Sequence, residues 1–280
     1  MDERTGAGGL SPDAARAWLA DAAVVDVRDA AAFAAGHVAG AANLPLADWA
    51  ERRHEWPPPD AALLVVADEP ADACAAAERL VLAGYTRAAW LDAPWRALGG
   101  DVATGAGARL WRAAAWLEDV LPGLPRGRAL DLACGAGRDA VALALAGFAV
   151  DAWDVDREAL ERAAALARRH GVALETRTVD LESVPPPALP EAAYALVTCF
   201  RYLHRPLFPV MAAALAPGGH LVVETYRDGQ QQFGKPKRPR FLLRPGELRE
   251  AFAALELIRY DEPSPPGGPW TARLLARRPR

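Results

Sequence analysis

The chain has 280 residues, of which 52% are hydrophobic, and a formal net charge of -4 at pH 7. Its length suits one large domain or two small ones, and its hydrophobic content excludes an intrinsically disordered chain. The negative net charge argues against a general nucleic-acid binder. No apolar stretch reaches the ~18 residues of a membrane span, and the opening MDERTGAGGL lacks the basic and apolar regions of a secretory signal.

The three cysteines, Cys74, Cys134 and Cys199, are far apart and irregularly spaced. This spacing fits neither a disulfide framework nor a zinc site, so we expect no bound metal. Free thiols are typical of a reducing compartment. The sequence therefore predicts a cytoplasmic protein without a membrane partner.

The first hundred residues are predicted to form a small α/β unit. Ser11 caps a first helix whose first residue is Pro12. Short apolar runs at Ala22–Arg28 and Ala61–Asp68 predict buried strands. The run ADACAAAERLVLAGY predicts a helix that Gly84 closes, and AAWL predicts a third strand.

A glycine-rich segment, GGDVATGAG, follows this unit and shows no periodicity. Small residues and glycine are typical of a linker. We therefore predict a first domain over residues 1–100, a linker over 101–107 and a second domain over 108–280.

Strands and helices alternate again from Arg109 onward. Such alternation predicts a mainly parallel, doubly wound sheet. The predicted elements are helix RLWRAAAWLEDVL, strand RALDLA, helix RDAVALALAG, strand FAVDAWDV, helix REALERAAALARRHG, strands ALETRTVD and YALVTCF, helix LFPVMAAAL, strand HLVVETY, helix PGELREAFAAL, and strands LELIRYDE and TARLLAR.

The turn after strand RALDLA is the first candidate site, because ligands of doubly wound sheets bind beyond the carboxyl ends of the strands. Gly135 and Gly137 let a ligand approach the backbone without a Cβ in the way. The stretch GAGRDA also matches the dinucleotide pattern G-x-G-x-x-A, although that match alone is weak.

Three carboxylates at successive strand ends discriminate between cofactors. Asp131 would repel a pyrophosphate but attract the cationic sulfonium and amine of S-adenosylmethionine. Asp154 can accept the ribose hydroxyls of either cofactor. Asp180 can bind the adenine amino group while the backbone of Leu181 supports the ring. Each aspartate alone is equally an exposed strand-end residue or a helix cap, but three in register favour a site.

The stretches LDLACGAGRDA, DAWDVD, VDLE and LAPGGHLVVET resemble the successive motifs of class I S-adenosylmethionine-dependent methyltransferases. GFAVDAWDVD and FLLRPGELREAF are similar, more narrowly, to the tellurite-resistance type. The resemblance runs from about Arg109 to the last residue and departs at Ala133, where the family often has glycine. It implies a Rossmann-like seven-stranded domain that binds S-adenosylmethionine through Asp131, Ala133, Gly135, Gly137, Arg138, Asp154, Val155, Asp180, Leu181 and Phe200.

The resemblance places the methyl acceptor over the end of strand YALVTCF. Phe200 would stack beside the cofactor, and Arg201, Tyr202 and His204 are the candidate catalytic residues. His204 has the side chain whose pKa suits a base near neutrality. Soft nucleophiles need no base, so a structural hydrogen bond at the start of a helix is the favoured interpretation of His204.

A basic segment, Phe233–Arg244, follows strand HLVVETY at the place where the family has its substrate cover. An anionic acceptor, such as a chalcogen oxyanion or a carboxylated thiol, would be attracted to it. A nucleic-acid partner is weaker, because no aromatic stacking platform accompanies the charge. The segment contains five cations: Lys235, Lys237, Arg238, Arg240 and Arg244.

The stretch VVDVRDAAAFAAGHVAGAANLP resembles the opening of rhodanese domains. Rhodaneses carry sulfur on a cysteine after the central strand, and that position is Ala67 here. Carboxylates in the following loop, at Asp68, Glu69 and Asp72, would repel a persulfide and raise a thiol pKa. Cys74 is predicted to lie in the helix core. We therefore expect a rhodanese-like domain without sulfur transfer, used for docking a partner or for self-association.

The leading hypothesis is an S-adenosylmethionine-dependent methyltransferase that acts on a small-molecule acceptor. One alternative is a non-catalytic interaction protein with two degenerate domains. A second alternative is a sulfurtransferase that uses Cys74.

Overall fold

A computed structural model describes residues 8–280, and in it the chain divides into two compact units. The first unit ends at Trp111 and the second runs Arg112–Arg280. The segment 101–107, predicted to be a linker, lies in the first unit and includes a short strand. The domain boundary itself stays a prediction. Within residues 8–280 no helix has both the length and the apolar character that a bilayer crossing requires.

The first unit is built on a five-stranded parallel sheet with the strand order β1-β6-β5-β2-β4. The short strands β3 and β7 pair separately and antiparallel. The elements are β1 (Gly8–Leu10), α1 (Pro12–Trp18), β2 (Ala23–Asp26), α2 (Ala30–Ala35), β3 (His37–Val38), β4 (Ala42–Asn43), β5 (Leu63–Val66), α3 (Pro70–Leu82), β6 (Ala88–Leu91) and β7 (Val102–Ala103).

Strand β5 shows why this sheet is uniformly apolar. Leu63 and Val65 face one hydrophobic cluster, whereas Leu64 and Val66 face another on the opposite side of the sheet. All four are buried because helices cover both faces of a parallel sheet. The prediction from the continuous apolar run is confirmed.

The second unit contains a seven-stranded sheet with the order β10-β9-β8-β11-β12-β14-β13, in which β14 is antiparallel to both neighbours. The elements are α4 (Ala115–Val120), β8 (Arg128–Leu132), α5 (Arg138–Leu145), β9 (Ala149–Asp154), α6 (Arg157–Arg169), β10 (Glu175–Thr178), β11 (Tyr194–Phe200), α7 (Leu207–Ala214), β12 (Leu215–Tyr226), α8 (Glu247–Ala251), β13 (Glu256–Asp261) and β14 (Thr271–Arg277). The predicted α/β class is confirmed.

The helix predicted from the stretch RLWRAAAWLEDVL is wrong in its first half, because α4 begins only at Ala115. The backbone of Ala114 is not helical, with φ of -54° and ψ of 130°, and its N–H donates to the carboxylate of Asp139 at 2.6 Å. A tertiary hydrogen bond therefore replaces the first helical turn.

Candidate functional site

The carboxyl ends of five parallel strands, β8 to β12, lie at one edge of the seven-stranded sheet. From β8 the chain proceeds outward through β9 and β10, and then returns to the other side of β8 with β11 and β12. The reversal opens a crevice at the ends of β8 and β11, where ligands of such sheets bind. The predicted site residues follow these strand ends.

The turn between β8 and α5 uses left-handed backbone at three positions, with φ of 55° at Ala133, 53° at Gly135 and 80° at Gly137. A Cβ added to Gly135 would have no heavy atom within 4 Å, so this glycine faces open space. A Cβ on Gly137 would lie 2.5 Å from Cβ of Ala163 in α6. The two glycines therefore differ: one leaves room for a ligand and the other lets two helices pack.

Asp154, at the end of β9, holds this turn in place. Its Oδ2 accepts the N–H of Gly135 at 2.8 Å, and its Oδ1 accepts the N–H of Asp156 at 2.9 Å. Each oxygen has a second lone pair available for a ligand hydroxyl. The neighbouring Val155 side chain is 62% exposed and adds an apolar surface beside the carboxylate.

Asp131, in β8, is only 1% exposed. Its Oδ1 accepts a hydrogen bond from the hydroxyl of Thr198 at 2.8 Å. The backbone N–H of Ala140 also lies near this carboxyl, but the buried Oδ2 makes no hydrogen bond of normal geometry within residues 8–280. Burial raises the pKa of the Asp131 carboxyl well above its usual value, and the nearby carboxylates of Asp139 and Asp154 add to the shift. An unpartnered buried carboxylate oxygen calls for a donor or a cation.

Sequence reasoning misses two carboxyl groups near this edge, Asp139 and Glu224. Burial raises the pKa of both, and the charge of Arg201 acts on both in the opposite direction. An acidic residue in the first turn of α5, directly after a glycine turn, was the signal for Asp139. Arg138, predicted to bind the cofactor, lies exposed beside it.

The loop after β10 faces the loop after β11. Asp180 is exposed, and its Oδ1 accepts the N–H of Glu182 at 2.9 Å, while Leu181 is buried. Burial raises the pKa of the Tyr202 hydroxyl, and the charges of Glu182 and Asp180 contribute. The structure thus brings Tyr202, predicted on the acceptor side, close to the predicted adenine-binding residues.

The remaining acceptor-side residues continue from β11. Phe200 is buried at the strand end, and Arg201 follows with a φ of 55° and donates its N–H to the carbonyl oxygen of Glu224 at 2.7 Å. The carbonyl oxygen of His204 accepts the N–H of Leu207 at 3.0 Å, so His204 lies at the start of α7. The buried Nε2 of His204 has no partner among residues 8–280.

The two thiols near the site are unsuited to nucleophilic chemistry. Burial, with a contribution from Asp131, raises the pKa of the Cys199 thiol to about 12. Burial also raises the pKa of the Cys134 thiol. Thiolates are the reactive form, so both groups are inert near neutrality. Cys199 is a buried residue of β11.

The basic segment Phe233–Arg244 contains one short 3-10 helix, Pro239–Phe241, and no α-helix. Lys235, Lys237 and Arg238 are exposed and form no ion pair within residues 8–280. Their charge is therefore available to an anion.

Comparison with protein families identifies both units. A methyltransferase-domain family matches residues 129–219, and a rhodanese-like-domain family matches residues 11–98. The chain combines a rhodanese-like domain with a methyltransferase domain. None of the curated proteins matches the sequence.

Several solved structures are similar to the chain, all at low identity. TehB from Haemophilus influenzae is 19% identical with a TM-score of 0.48, over 58% of this chain and 61% of that chain. A S-adenosylmethionine-dependent methyltransferase from Mesorhizobium loti is 21% identical with a TM-score of 0.48, over 59% and 98% of the chains. The N-methyltransferase NodS from Bradyrhizobium japonicum is 20% identical with a TM-score of 0.48, over 59% and 93%.

S-adenosylmethionine is the cofactor that the methyltransferase domain implies. The residues at the turn between β8 and α5 fit this cofactor. The unpartnered oxygen of Asp131 suits a cationic ligand, and the open space at Gly135 is a cradle that any Cβ would partly fill. Among residues 8–280, no group of three or more His, Cys, Asp and Glu side chains is arranged to hold a metal ion.

In the rhodanese-like domain, Ala67 is buried at the end of β5, and its carbonyl oxygen accepts the N–H of Trp95 at 2.8 Å. Asp68 follows and pairs with Arg28 at 3.4 Å. Cys74 lies in α3 but is only partly buried, so its predicted place in the helix core is corrected. Burial and nearby carboxylates raise its thiol pKa. No thiol stands at the end of the central strand.

Proposed function

We propose that the protein is an S-adenosylmethionine-dependent methyltransferase whose acceptor is a small anion, such as a chalcogen oxyanion or a thiol that bears a carboxylate. The observation that carries the cofactor assignment is the buried, unpartnered Asp131 carboxylate beside an open glycine turn. A phosphate group would meet repulsion there, whereas a cationic ligand satisfies the carboxylate.

Different residues bind different parts of the cofactor. Asp154 accepts the ribose hydroxyls, and Val155 and Leu181 provide the apolar surface for the adenine. Asp131 balances the positive charge, and Phe200 closes the crevice near the strand end. When bound, the cofactor supplies a methyl group on a sulfonium, already activated for displacement, so that the protein's task is chiefly positioning.

On the acceptor side, Arg201 and Tyr202 orient the acceptor. His204 would act as a base only for a hard acceptor that must lose a proton, because a thiol, as a soft nucleophile, needs none. A chalcogen oxyanion already offers a lone pair and leaves His204 as a structural residue. The exposed cations of the basic segment attract either acceptor by charge.

The rhodanese-like domain is proposed to be non-catalytic and to serve in docking a protein partner or in self-association. The alternative function of this domain, sulfur transfer, would need a cysteine at position 67, where the chain has alanine. A cytoplasmic location is proposed because all three cysteines are free thiols.

Isothermal calorimetry with S-adenosylmethionine tests the cofactor assignment. Asp154→Ala should weaken binding by about 1.5–3 kcal/mol, the range for hydrogen bonds that involve a charged group. Glu158→Ala, which removes an exposed carboxylate at the start of α6, is the matched control and should bind normally. Wild-type affinity in Asp154→Ala would contradict the assignment of this residue to the ribose.

A methyl-transfer screen identifies the acceptor. Radiolabelled S-adenosylmethionine would be incubated with tellurite, selenite, small thiols and neutral amines. Transfer to an oxyanion or to a thiol that bears a carboxylate supports the proposal. Transfer to neutral amines alone would contradict an anionic acceptor, and absence of cofactor binding would favour the non-catalytic alternative.

A further inference from the structure

The guanidinium of Arg205 makes the densest set of polar contacts near the acceptor side. Its Nε donates to Oε1 of Glu247, and one terminal nitrogen donates to Oε2 of Glu247 at 3.0 Å. The same nitrogen donates to the carbonyl oxygen of Leu242 at 2.9 Å, and the other terminal nitrogen donates to that of Arg240 at 2.9 Å. This is a bidentate ion pair with two additional backbone contacts.

Glu247 is the first residue of α8 and is only 5% exposed. Burial alone would raise its pKa, but hydrogen bonds from Arg205 and from the backbone N–H of Arg244 outweigh burial and hold the pKa below its usual value. Hydrogen bonding to Glu247 raises the pKa of Arg205 against the effect of its own burial. Both groups are therefore charged at neutral pH.

The pair joins three parts of the second unit. Arg205 belongs to the loop after β11, Arg240 and Leu242 belong to the basic segment, and Glu247 opens α8. Gln230, just before the segment, is fixed separately because its Oε1 accepts the N–H of Trp270 at 2.8 Å. The exposed cations of the segment therefore lie between two anchored ends.

We propose that Arg205 and Glu247 are a positioning pair that seats the basic segment beside the acceptor-side loop and thereby sets the affinity for an anionic acceptor. Neither residue touches the acceptor. The planar fork of arginine matches the carboxylate in two bonds, which fixes orientation as well as distance, and a lysine cannot reproduce it. The link to acceptor affinity rests on the proposed function, whereas the seating of the segment does not.

Hydrogen exchange measured by mass spectrometry tests the seating without any acceptor. In Glu247→Gln one oxygen remains to accept the N–H of Arg244, but the fork to Arg205 is lost. We expect the amides of Phe241 and Leu242, which close the 3-10 turn, to exchange about tenfold faster. Arg205→Lys should give a smaller increase. Unchanged exchange in both variants would overturn the proposal.

Arg244→Gln is the matched control, because it removes a cation that is 77% exposed and contacts Glu247 only at 3.4 Å. It should leave the exchange of the segment unchanged, and equal loss in this control would overturn the role of the fork. Melting temperatures establish that each variant is folded.

Steady-state kinetics then tests the consequence for the acceptor. With an anionic acceptor from the methyl-transfer screen, Glu247→Gln should raise KM with little change in kcat or in S-adenosylmethionine affinity. Faster exchange together with an unchanged KM would overturn the link to acceptor affinity. If the variants exchange faster but the wild-type protein transfers no methyl group to any acceptor, the proposed function is overturned and the seating of the segment is upheld.

Discussion

At the scale of single residues, burial of the Asp131 carboxyl lowers the stability of the folded protein at neutral pH. Its pKa is raised chiefly by burial, so the folded protein binds a proton more tightly than the unfolded chain, whose aspartates have a pKa of about 3.9. Stability therefore falls as the pH rises from about 3.9 through the folded-state pKa, and stays lower above it. Such a cost is typical of a group kept for binding.

Asp131→Asn separates stability from binding. The amide oxygen can still accept the hydroxyl of Thr198, while the charge is gone. We expect a higher Tm than wild type at about pH 8 and a smaller difference at about pH 4.5. S-adenosylmethionine affinity should fall about tenfold to a hundredfold. Scanning fluorimetry across pH and calorimetry provide the two readouts. A lower Tm at every pH with normal affinity would contradict the assignment.

Ala133 is a second residue with a measurable cost, because its φ of 55° is left-handed. This conformation destabilises a non-glycine residue by about 1–2 kcal/mol. A glycine avoids that strain but increases the entropy of the unfolded chain, which lowers stability by about 0.4–1 kcal/mol. Ala133→Gly should therefore stabilise the protein by up to about 1.5 kcal/mol in urea unfolding. A clear loss of stability would show that the methyl group packs favourably. The sequence shows the departure from glycine but not the backbone angle that gives it a cost.

At the scale of elements, the two glycines of the turn should fail in different ways. Gly137→Ala would place a Cβ 2.5 Å from Cβ of Ala163, so α5 and α6 must separate, at a cost of about 1–3 kcal/mol. The side chain of Gly135→Val meets no neighbouring atom, but a φ of 53° strains a β-branched residue, so this variant should lose some stability and abolish S-adenosylmethionine binding. Urea unfolding and calorimetry on both variants test this. Normal binding in Gly135→Val would remove the turn from the site.

In the second unit, the alternation of apolar and amphipathic runs was sufficient to predict the order of strands and helices, because burial on both sheet faces imposes it. In the first unit, the short elements β1, α2, β3, β4 and β7 were not predicted. The position of β14 between β12 and β13 depends on tertiary pairing and leaves no local signal. The late start of α4, at Ala115, depends likewise on one contact with Asp139. The carboxylates Asp131 and Asp154 were predictable because strand ends of a parallel sheet share an edge. The fork from Arg205 to Glu247 spans 42 positions and was not.

At the scale of the whole molecule, the rhodanese-like domain should be inactive. We expect no thiosulfate:cyanide sulfurtransferase activity, because position 67 is alanine and Cys74 has a raised thiol pKa inside α3. A cyanide assay on the full chain tests this, with Cys74→Ser as the matched variant. Activity that disappears in Cys74→Ser would restore the sulfurtransferase alternative.

The net charge of -4 gives the whole molecule a field that disfavours anions, so local cations must offset it at the acceptor side. Lys235→Gln, Lys237→Gln and Arg238→Gln combined should raise KM for an anionic acceptor about three- to tenfold, with kcat and cofactor affinity nearly unchanged. Exposed charges are screened over about 8 Å at physiological salt, so the effect should shrink as salt rises.

A neutral acceptor measured with the same triple variant is the internal control, because its KM should not respond to charge. Wild-type KM for the anion at low salt would show that the basic segment is only a solvated surface. A loss of S-adenosylmethionine affinity would place the segment on the cofactor side of the crevice. A salt-dependent change confined to the anionic acceptor is the one outcome that joins the charge of the segment to the choice of substrate.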